Sequence, residues 1–346
     1  VLGAQRWNGL LALVSSAVIV LAGLDVGGVR SRILGGGDGR SIRMAVLPFA
    51  NLSGDPEQEY LSDGLTQEMI AQLGRLHPDT LSVIARTSVM RYKKTETPID
   101  QIGRELNVDF VLEGSARRAG GRVRVSAELI RVRGQAQLWA DTYEREFADA
   151  LVLQSEVAQK VAGALALTLL PAEQARLASA KPVNPEAYEA YLKGTSRWQK
   201  LTPADFDVAQ RYFELALEKD REYAPAYSGL AILWAAQQQF GLAPPQEAMP
   251  KAKAFARQAI ALDESAAVAH EVLAILTTWG DWDWAAAETE WRRALELDPN
   301  AANAHAYYAQ YLATVGRVAD AIPHARRAVE LDPFNALFHG LYGGVL

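Results

Sequence analysis

Ala287-Glu288-Thr289-Glu290-Trp291-Arg292-Arg293-Ala294-Leu295-Glu296-Leu297-Asp298-Pro299 is answered by Ala321-Ile322-Pro323-His324-Ala325-Arg326-Arg327-Ala328-Val329-Glu330-Leu331-Asp332-Pro333. The two stretches are copies, 34 residues apart. Each places Ala, then an apolar residue four positions on, then Ala three further, as Ala287/Trp291/Ala294 and Ala321/Ala325/Ala328. That spacing lays the three residues on one face of a helix. A helix pair of this period cannot bury its apolar face alone and has to stack on neighbours.

The period and the small-large-small pattern are those of a tetratricopeptide (TPR) repeat. Looser copies come earlier, as Ala252/Ala256/Ala259 before Leu262-Asp263 and Ala209/Phe213/Ala216 before Lys219-Asp220. Tyr227, His270, His305 and His339 open the matching first helices. Start signals stand at Asn184-Pro185 and at Thr202-Pro203-Ala204-Asp205, a capping residue followed by Pro at the first helical position. The repeats are therefore expected from residue 184 to 346. Ala336 to Leu346 reads as a first helix lacking its second, and the chain opens on Val1, so a longer protein is expected at both ends.

Composition is that of a folded protein, 49% hydrophobic and 22% charged, with a formal net charge of −6. An acidic balance gives no global attraction to nucleic acid or anionic lipid. With no cysteine, disulfides, thiolate metal sites and Cys nucleophiles are excluded together.

From Gly9 to Gly23 only Ser15 and Ser16 are polar, with Trp7 at one edge and Arg6, Arg30 and Arg32 outside. Crossing the hydrocarbon takes roughly 20 residues, so a span must run on to Val29. Trp and Arg flanks favour a membrane anchor, and a signal peptide cut after Ala22 is the competing reading. Gly35 to Gly39 then forms a flexible linker.

Between the linker and the repeats, strand and helix alternate. Met44 to Phe49 is an apolar run stopped by turn residues Asn51 to Pro56. Leu65, Met69, Ile70, Leu73 and Leu76 have helical spacing, Leu81 to Ala85 returns to strand, and Ile99, Ile102 and Leu106 mark a second helix. Gly120-Gly121 joins Phe110 to Arg118 with Arg122 to Val132 as a hairpin, and Gln135 to Tyr143 adds a strand. Leu151 to Leu170 reads as a long connecting helix. The fold class is thus multidomain: a transmembrane helix and linker over 1–40, an α/β domain with a mixed sheet over 41–150, a connecting helix over 151–183, and an all-α repeat solenoid over 184–346.

Ala45-Val46-Leu47-Pro48-Phe49, Asn51-Leu52-Ser53-Gly54-Asp55, Ser62-Asp63-Gly64-Leu65, Ser82 to Val89, Gly103-Arg104-Glu105-Leu106 and Val111-Leu112-Glu113-Gly114-Ser115 stand in an order that resembles the TolB-like amino-terminal domain. In bacteria this domain is often coupled to TPR repeats. Gly23 to Arg30 is similar to the segment that precedes it in membrane-bound serine/threonine kinases. The resemblance implies a membrane-bound signalling protein with a kinase head before Val1. It is expected to be single-pass in the inner membrane with its TolB-like and TPR parts in the periplasm, whereas Arg30 and Arg32 outnumber Arg6, a count that places those parts inside. Relatives carrying a CadC-type winged helix or a nucleotide cyclase in that place, and an exported adaptor with no head, are the alternatives.

No catalytic constellation is legible. Gly35-Gly36-Gly37-Asp38-Gly39 lacks the strand before it and the helix after it that let such a loop cradle phosphate. Kinase signatures are absent from these residues. His270, His305 and His339 recur at repeat spacing, but stacked helices lie roughly 8 to 10 Å apart, too far for one ion's ligands, so packing is expected. Trp279-Gly280-Asp281-Trp282-Asp283-Trp284 falls in a turn between paired helices, with Trp284 as its plug. Arg117, Arg118, Arg122, Arg124, Arg131 and Arg133 cluster around the hairpin without interleaved aromatics, a solvated face rather than a nucleic-acid site. No cofactor and no metal are called for. The positive candidate is the inner groove of the repeats, where Glu271, Thr278 and Trp279 of one first helix and Asn303, Gln310 and Thr314 of the next are expected to form a polar strip with one indole, suited to a peptide from a protein partner.

Overall fold

The computed structural model describes residues 41–346 except 78, 79 and 181. The proposed anchor and linker lie outside the described residues. Among the described residues no helix is long and apolar enough to cross a membrane.

Strands β1 (Ile42–Val46), β2 (Ala50–Asn51), β3 (Leu81–Val83), β4 (Phe110–Ala119), β5 (Arg122–Arg131) and β6 (Ala136–Glu146) make one mixed sheet. Its order is β3-β1-β4-β5-β6, with β2 on β4. β1 runs parallel to both neighbours, whereas β4, β5 and β6 form an antiparallel meander. The chemistry explains the split. β3 and the Met44–Val46 end of β1 are buried on both faces, while β5 alternates Val123, Val125 and Ala127 inward with Arg122, Arg124 and Glu128 outward.

Helix α1 (Glu59–Gly74) lies on the inward face with Leu65, Met69 and Leu73 buried. Short helices α2 (Arg86–Val89) and α3 (Ile99–Leu106) follow. α4 (Ala150–Ala164) differs from its expected part as a connector: Leu153, Val157 and Val161 are fully buried in the core shared with the sheet and α1. It belongs to the α/β layer, and only α5 (Pro171–Ala178) and its flanks link to the repeats.

The repeats are α6/α7 (Pro185–Trp198, Pro203–Lys219), α8/α9 (Ala224–Gln239, Pro245–Leu262), α10/α11 (Ala267–Leu276, Trp284–Leu297) and α12/α13 (Ala302–Thr314, Val318–Leu331), then α14 (Ala336–Val345). Asn184 and Thr202 cap α6 and α7 through their side-chain oxygens, as their sequence positions require. Every second helix stops the same way: the N–H of Asp220, Asp263, Asp298 or Asp332 bonds the carbonyl of the alanine four residues back, at 2.8–2.9 Å. Those alanines, and the ones seven before them, are buried to within 1%. A larger side chain there would push the paired helices apart.

The solenoid folds back on the sheet at two places. Near its start, Gly64 of α1 lies against Leu192 of α6, where an added Cβ would come within 2.6 Å of Cδ2. Near its end, the turns after α11 and α13 close the free edge of β3. Asn300 Nδ2 donates to the carbonyls of Gly74 (2.6 Å) and Leu81 (3.2 Å), while its Oδ1 accepts from Arg327 Nη2 (2.9 Å) and from Val83 N–H (3.4 Å). One amide side chain thereby stands in for a neighbouring strand. Ala85 N–H donates to Leu331 O (2.7 Å), and Ser88 Oγ donates to Asp332 Oδ1 (2.6 Å). α1 therefore crosses the hollow of the arc from the first repeat to the turn before α12.

Candidate partner-binding surface

First helices line the inner side of the arc. The stretch belonging to the first repeat is already occupied by the protein's own α/β layer. Glu189 of α6 bonds Arg118 Nη1 (2.7 Å), Lys193 Nζ (2.8 Å) and Tyr60 Oη (3.0 Å), and against the cost of burial the two cations hold its carboxyl down to about 2. Arg118 also lies over the Phe147 ring at 4.1 Å. Of the hairpin arginines, then, this one is an internal clamp. Arg122 pairs instead with the exposed Glu144 and Glu146. Glu68 accepts from Tyr188 Oη and Gln154 Nε2 with no cation among its partners, and burial pushes its carboxyl up to about 7.

The six residues expected to line the groove divide. Glu271 is 8% exposed and accepts from Asn303 Nδ2, so these two tie α10 to α12 rather than face a ligand. Burial first, and then the nearby Asp298 charge, push the Glu271 carboxyl up to about 7. Thr278 is fully buried, which corrects its expected place in the strip. Its hydroxyl donates to Ala274 O (2.7 Å) and accepts from Trp291 Nε1 (3.0 Å). Thr278 keeps the face of Glu271, seven residues earlier and also buried, and that face is covered by Trp291 of the paired helix; the π-helical turn Thr277–Asp281 closes beyond it, through Trp282 N–H on Thr277 O.

Trp279, Gln310 and Thr314 remain partly or fully open. Trp279 meets the ring edges of Trp291 and Tyr307, at centroid separations of 6.1 and 5.7 Å. Tyr307 Oη in turn accepts from Gln239 Nε2 at 3.4 Å, bringing the second repeat into contact with the fourth. The arc is thus tight enough for side chains to meet across it. Tyr307 and Gln239 are site residues the sequence reading missed. Tyr307-Tyr308 was the available signal, since two adjacent tyrosines on a helix cannot both face the core.

The other sequence candidates have structural partners. His305 Nε2 and His339 Nε2 contact the carbonyls of Pro299 and Pro333, six residues back in each repeat. His305 Nδ1 meets His324 Nδ1 at 2.8 Å, and burial together with that neighbour depresses His305 to about 3. His270 bonds Glu290 (2.6 Å). Among the described residues no three His, Asp or Glu side chains converge as a metal site. In the tryptophan-rich turn, Asp283 caps α11 through Ala286 N–H, Trp284 packs on Tyr311, and Trp282 stands 61% exposed in the left-handed region at φ 58°.

Comparison with known proteins adds relatives. The family profile of the HilA/YgeH-like transcriptional regulator, second domain, matches residues 40–163, an interval that takes in α4 as well as the sheet. The chain is 36% identical over 238 residues to "Putative adenylate cyclase 3" of Rhizobium meliloti, covering 68% of this chain and 40% of that protein. It is 23% identical over 281 residues to "Transcriptional regulator HilA" of Salmonella typhimurium, covering 81% of this chain and 49% of that one. The chain spans less than half the length of either relative. Among solved structures, the TPR protein TTC0263 of Thermus thermophilus aligns over 57% of this chain and 90% of its own, with TM-score 0.40 and 15% identity. TolB of Acinetobacter baumannii aligns over 36% of this chain and 28% of its own, with TM-score 0.27 and 13% identity.

Proposed function

We propose that this chain is the non-catalytic, partner-binding part of a bacterial signalling protein, coupled to an output domain elsewhere in the polypeptide. The observation that carries the reading is the open end of the repeat groove. There Trp279, Tyr307, Gln310 and Thr314 present rings and hydrogen-bonding groups on helices held in register by buried contacts. The relatives support two output types, an adenylate cyclase and a transcriptional regulator. The kinase head implied by the sequence resemblance is a third. Residues 9–29 are assigned as the anchor, with the sheet and repeats in the periplasm. Protease added to spheroplasts would degrade them if so, and would spare them if they face the cytoplasm.

The binding assignment is tested by placing a photoreactive phenylalanine analogue at Thr314 in the full-length protein in cells. A discrete adduct with one polypeptide, lost on Trp279→Ala and Gln310→Ala, is the expected result. Adducts indifferent to both substitutions would overturn it. Incubation with ATP or GTP should give no turnover attributable to residues 41–346; turnover abolished by a substitution in that span would count against the non-catalytic reading.

A further inference from the structure

The sheet has two edges, and the fold treats them differently. β3 is closed by Asn300 and the Leu331 carbonyl, whereas the outer side of β6 is paired with nothing among the described residues. β6 is eleven residues long and contains neither the proline nor the lysine that commonly blunts an edge strand.

Which of its backbone groups point outward follows from one bond. Phe147 N–H donates to Gly121 O at 2.7 Å, and antiparallel partners alternate between bonded and non-bonded pairs. Arg145, Tyr143 and Asp141 therefore turn their backbone groups toward β5. Those of Glu146, Glu144, Thr142 and Ala140 face away. Side chains agree with this phase. Thr142 N–H is taken by its neighbour's carboxylate, Asp141 Oδ1, at 2.8 Å, and the Glu144 carbonyl accepts from Arg145 Nη1 at 3.2 Å. The Ser126 and Thr142 hydroxyls meet at 2.9 Å, the close approach of a non-bonded pair.

We propose that a second copy of this chain adds to β6, antiparallel, about a two-fold axis at Tyr143. Thr142 then exchanges backbone bonds with Glu144 of the second copy, and Ala140 does so with Glu146. Of these outward groups, the Thr142 N–H and the Glu144 carbonyl are the ones that Asp141 and Arg145 now shield. The released carboxylate and guanidinium stand opposite one another across the axis, Asp141 facing Arg145 of the second copy and the reverse, giving two ion pairs by symmetry. Arg145 keeps its contact with Glu156 (2.9 Å), since a guanidinium has donors to spare. Charge selects this register over its neighbours. An axis at Thr142 sets Asp141 against Tyr143, while axes at Asp141 or Glu144 bring like carboxylates together. A ladder over Ala140 to Glu146 is a small interface, so the association is weak and reversible.

The test is sedimentation equilibrium of the full chain in density-matched detergent over a wide concentration range. The unmodified protein is expected to show a reversible monomer–dimer equilibrium. Thr142→Pro removes the outward N–H and the exposed hydroxyl contact with Ser126 but no backbone bond to β5, and should leave a chain that is folded by circular dichroism and monomeric by sedimentation. Should that variant unfold, Ala140→Asp, which sets a carboxylate against Glu146 of the second copy, should weaken the dimer instead. Asp141→Arg and Arg145→Asp should each weaken association roughly tenfold, and the double exchange should restore it. A monomer at every concentration, a dimer that Thr142→Pro or Ala140→Asp leaves intact, or a double exchange that fails to restore association would each overturn the proposal.

Discussion

Replacing Asn300 with alanine should separate the solenoid's far end from the sheet. The side chain makes three bonds of ordinary length, to Gly74 O, Leu81 O and Arg327 Nη2, plus a long fourth from Val83 N–H, at a site 8% exposed. A buried hydrogen bond contributes about 1 kcal/mol net, and one to a charged group about 1.5–3 kcal/mol. Losing two carbonyl contacts and one guanidinium contact together should therefore cost about 3–5 kcal/mol. Arg327 keeps its bond to Ser82 Oγ (2.8 Å), which holds the loss toward the lower figure. Urea unfolding followed by tryptophan emission measures the total. Amide hydrogen exchange locates it: Val83 and Ala85 should exchange faster while Val123 and Val125 in the sheet centre keep their protection. A loss under about 1 kcal/mol with the β3 amides unchanged would mean that the turn merely leans on the sheet, and the closed-edge reasoning would fail.

Thr278→Val keeps the shape but leaves the buried Trp291 indole N–H without an acceptor, a loss of about 1–3 kcal/mol; the midpoint of urea unfolding checks it, with a blue-shifted Trp291 emission as the local signature. Glu271 has its folded pKa raised to about 7 from an ordinary 4.5, so the native state binds the extra proton and stability falls as pH rises between those values. Glu271→Gln should remove that fall, gaining up to about 3 kcal/mol at pH 8 and little at pH 4, in unfolding curves compared with the parent. His305 has the opposite sign: with its folded pKa depressed to about 3, the unfolded chain takes the proton first, and stability is lost as pH drops below about 6.5. His305→Phe should flatten that acid limb even if the freed Pro299 carbonyl lowers stability at neutral pH. The same pH series of melting curves reads both variants.

Local signals carried much of the fold. Asn184 and Thr202 cap helices using bonds to residues two or three away, and the alanine triplets fix which faces of α7, α9, α11 and α13 meet their partners. The β4–β5 hairpin turns at Gly120-Gly121, with Gly120 at φ 59° where a side chain would be strained. What failed was address. α4 carries apolar residues on most of its sides, so periodicity does not say which surface covers it, and its length alone suggests a connector. Counting along one helix places Thr278 on the face of Glu271 but does not say that Trp291 of the paired helix covers that face. Asn300 follows Leu-Asp-Pro, and Phe334 occupies the same place one repeat later. Nothing within either repeat says that the first will meet Leu81 and Val83, more than 200 residues away. Of the groove, the sequence supplied the helix face, whereas its filling by α1 and the meeting of Gln239 with Tyr307 depend on curvature accumulated over several repeats.

An unsupported coil of stacked helix pairs behaves as a spring, each unit yielding a little under load. Here α1 acts as a strut, with Gly64 seated on Leu192 at one end and the Gly74 carbonyl fastened to Asn300 at the other. Compliance is thereby concentrated in the second and third repeats, between the two attachment points. Load applied between those two points is carried by the ten residues from Gly64 to Gly74, a rod of roughly 15 Å that joins the first repeat to the turn before the fourth.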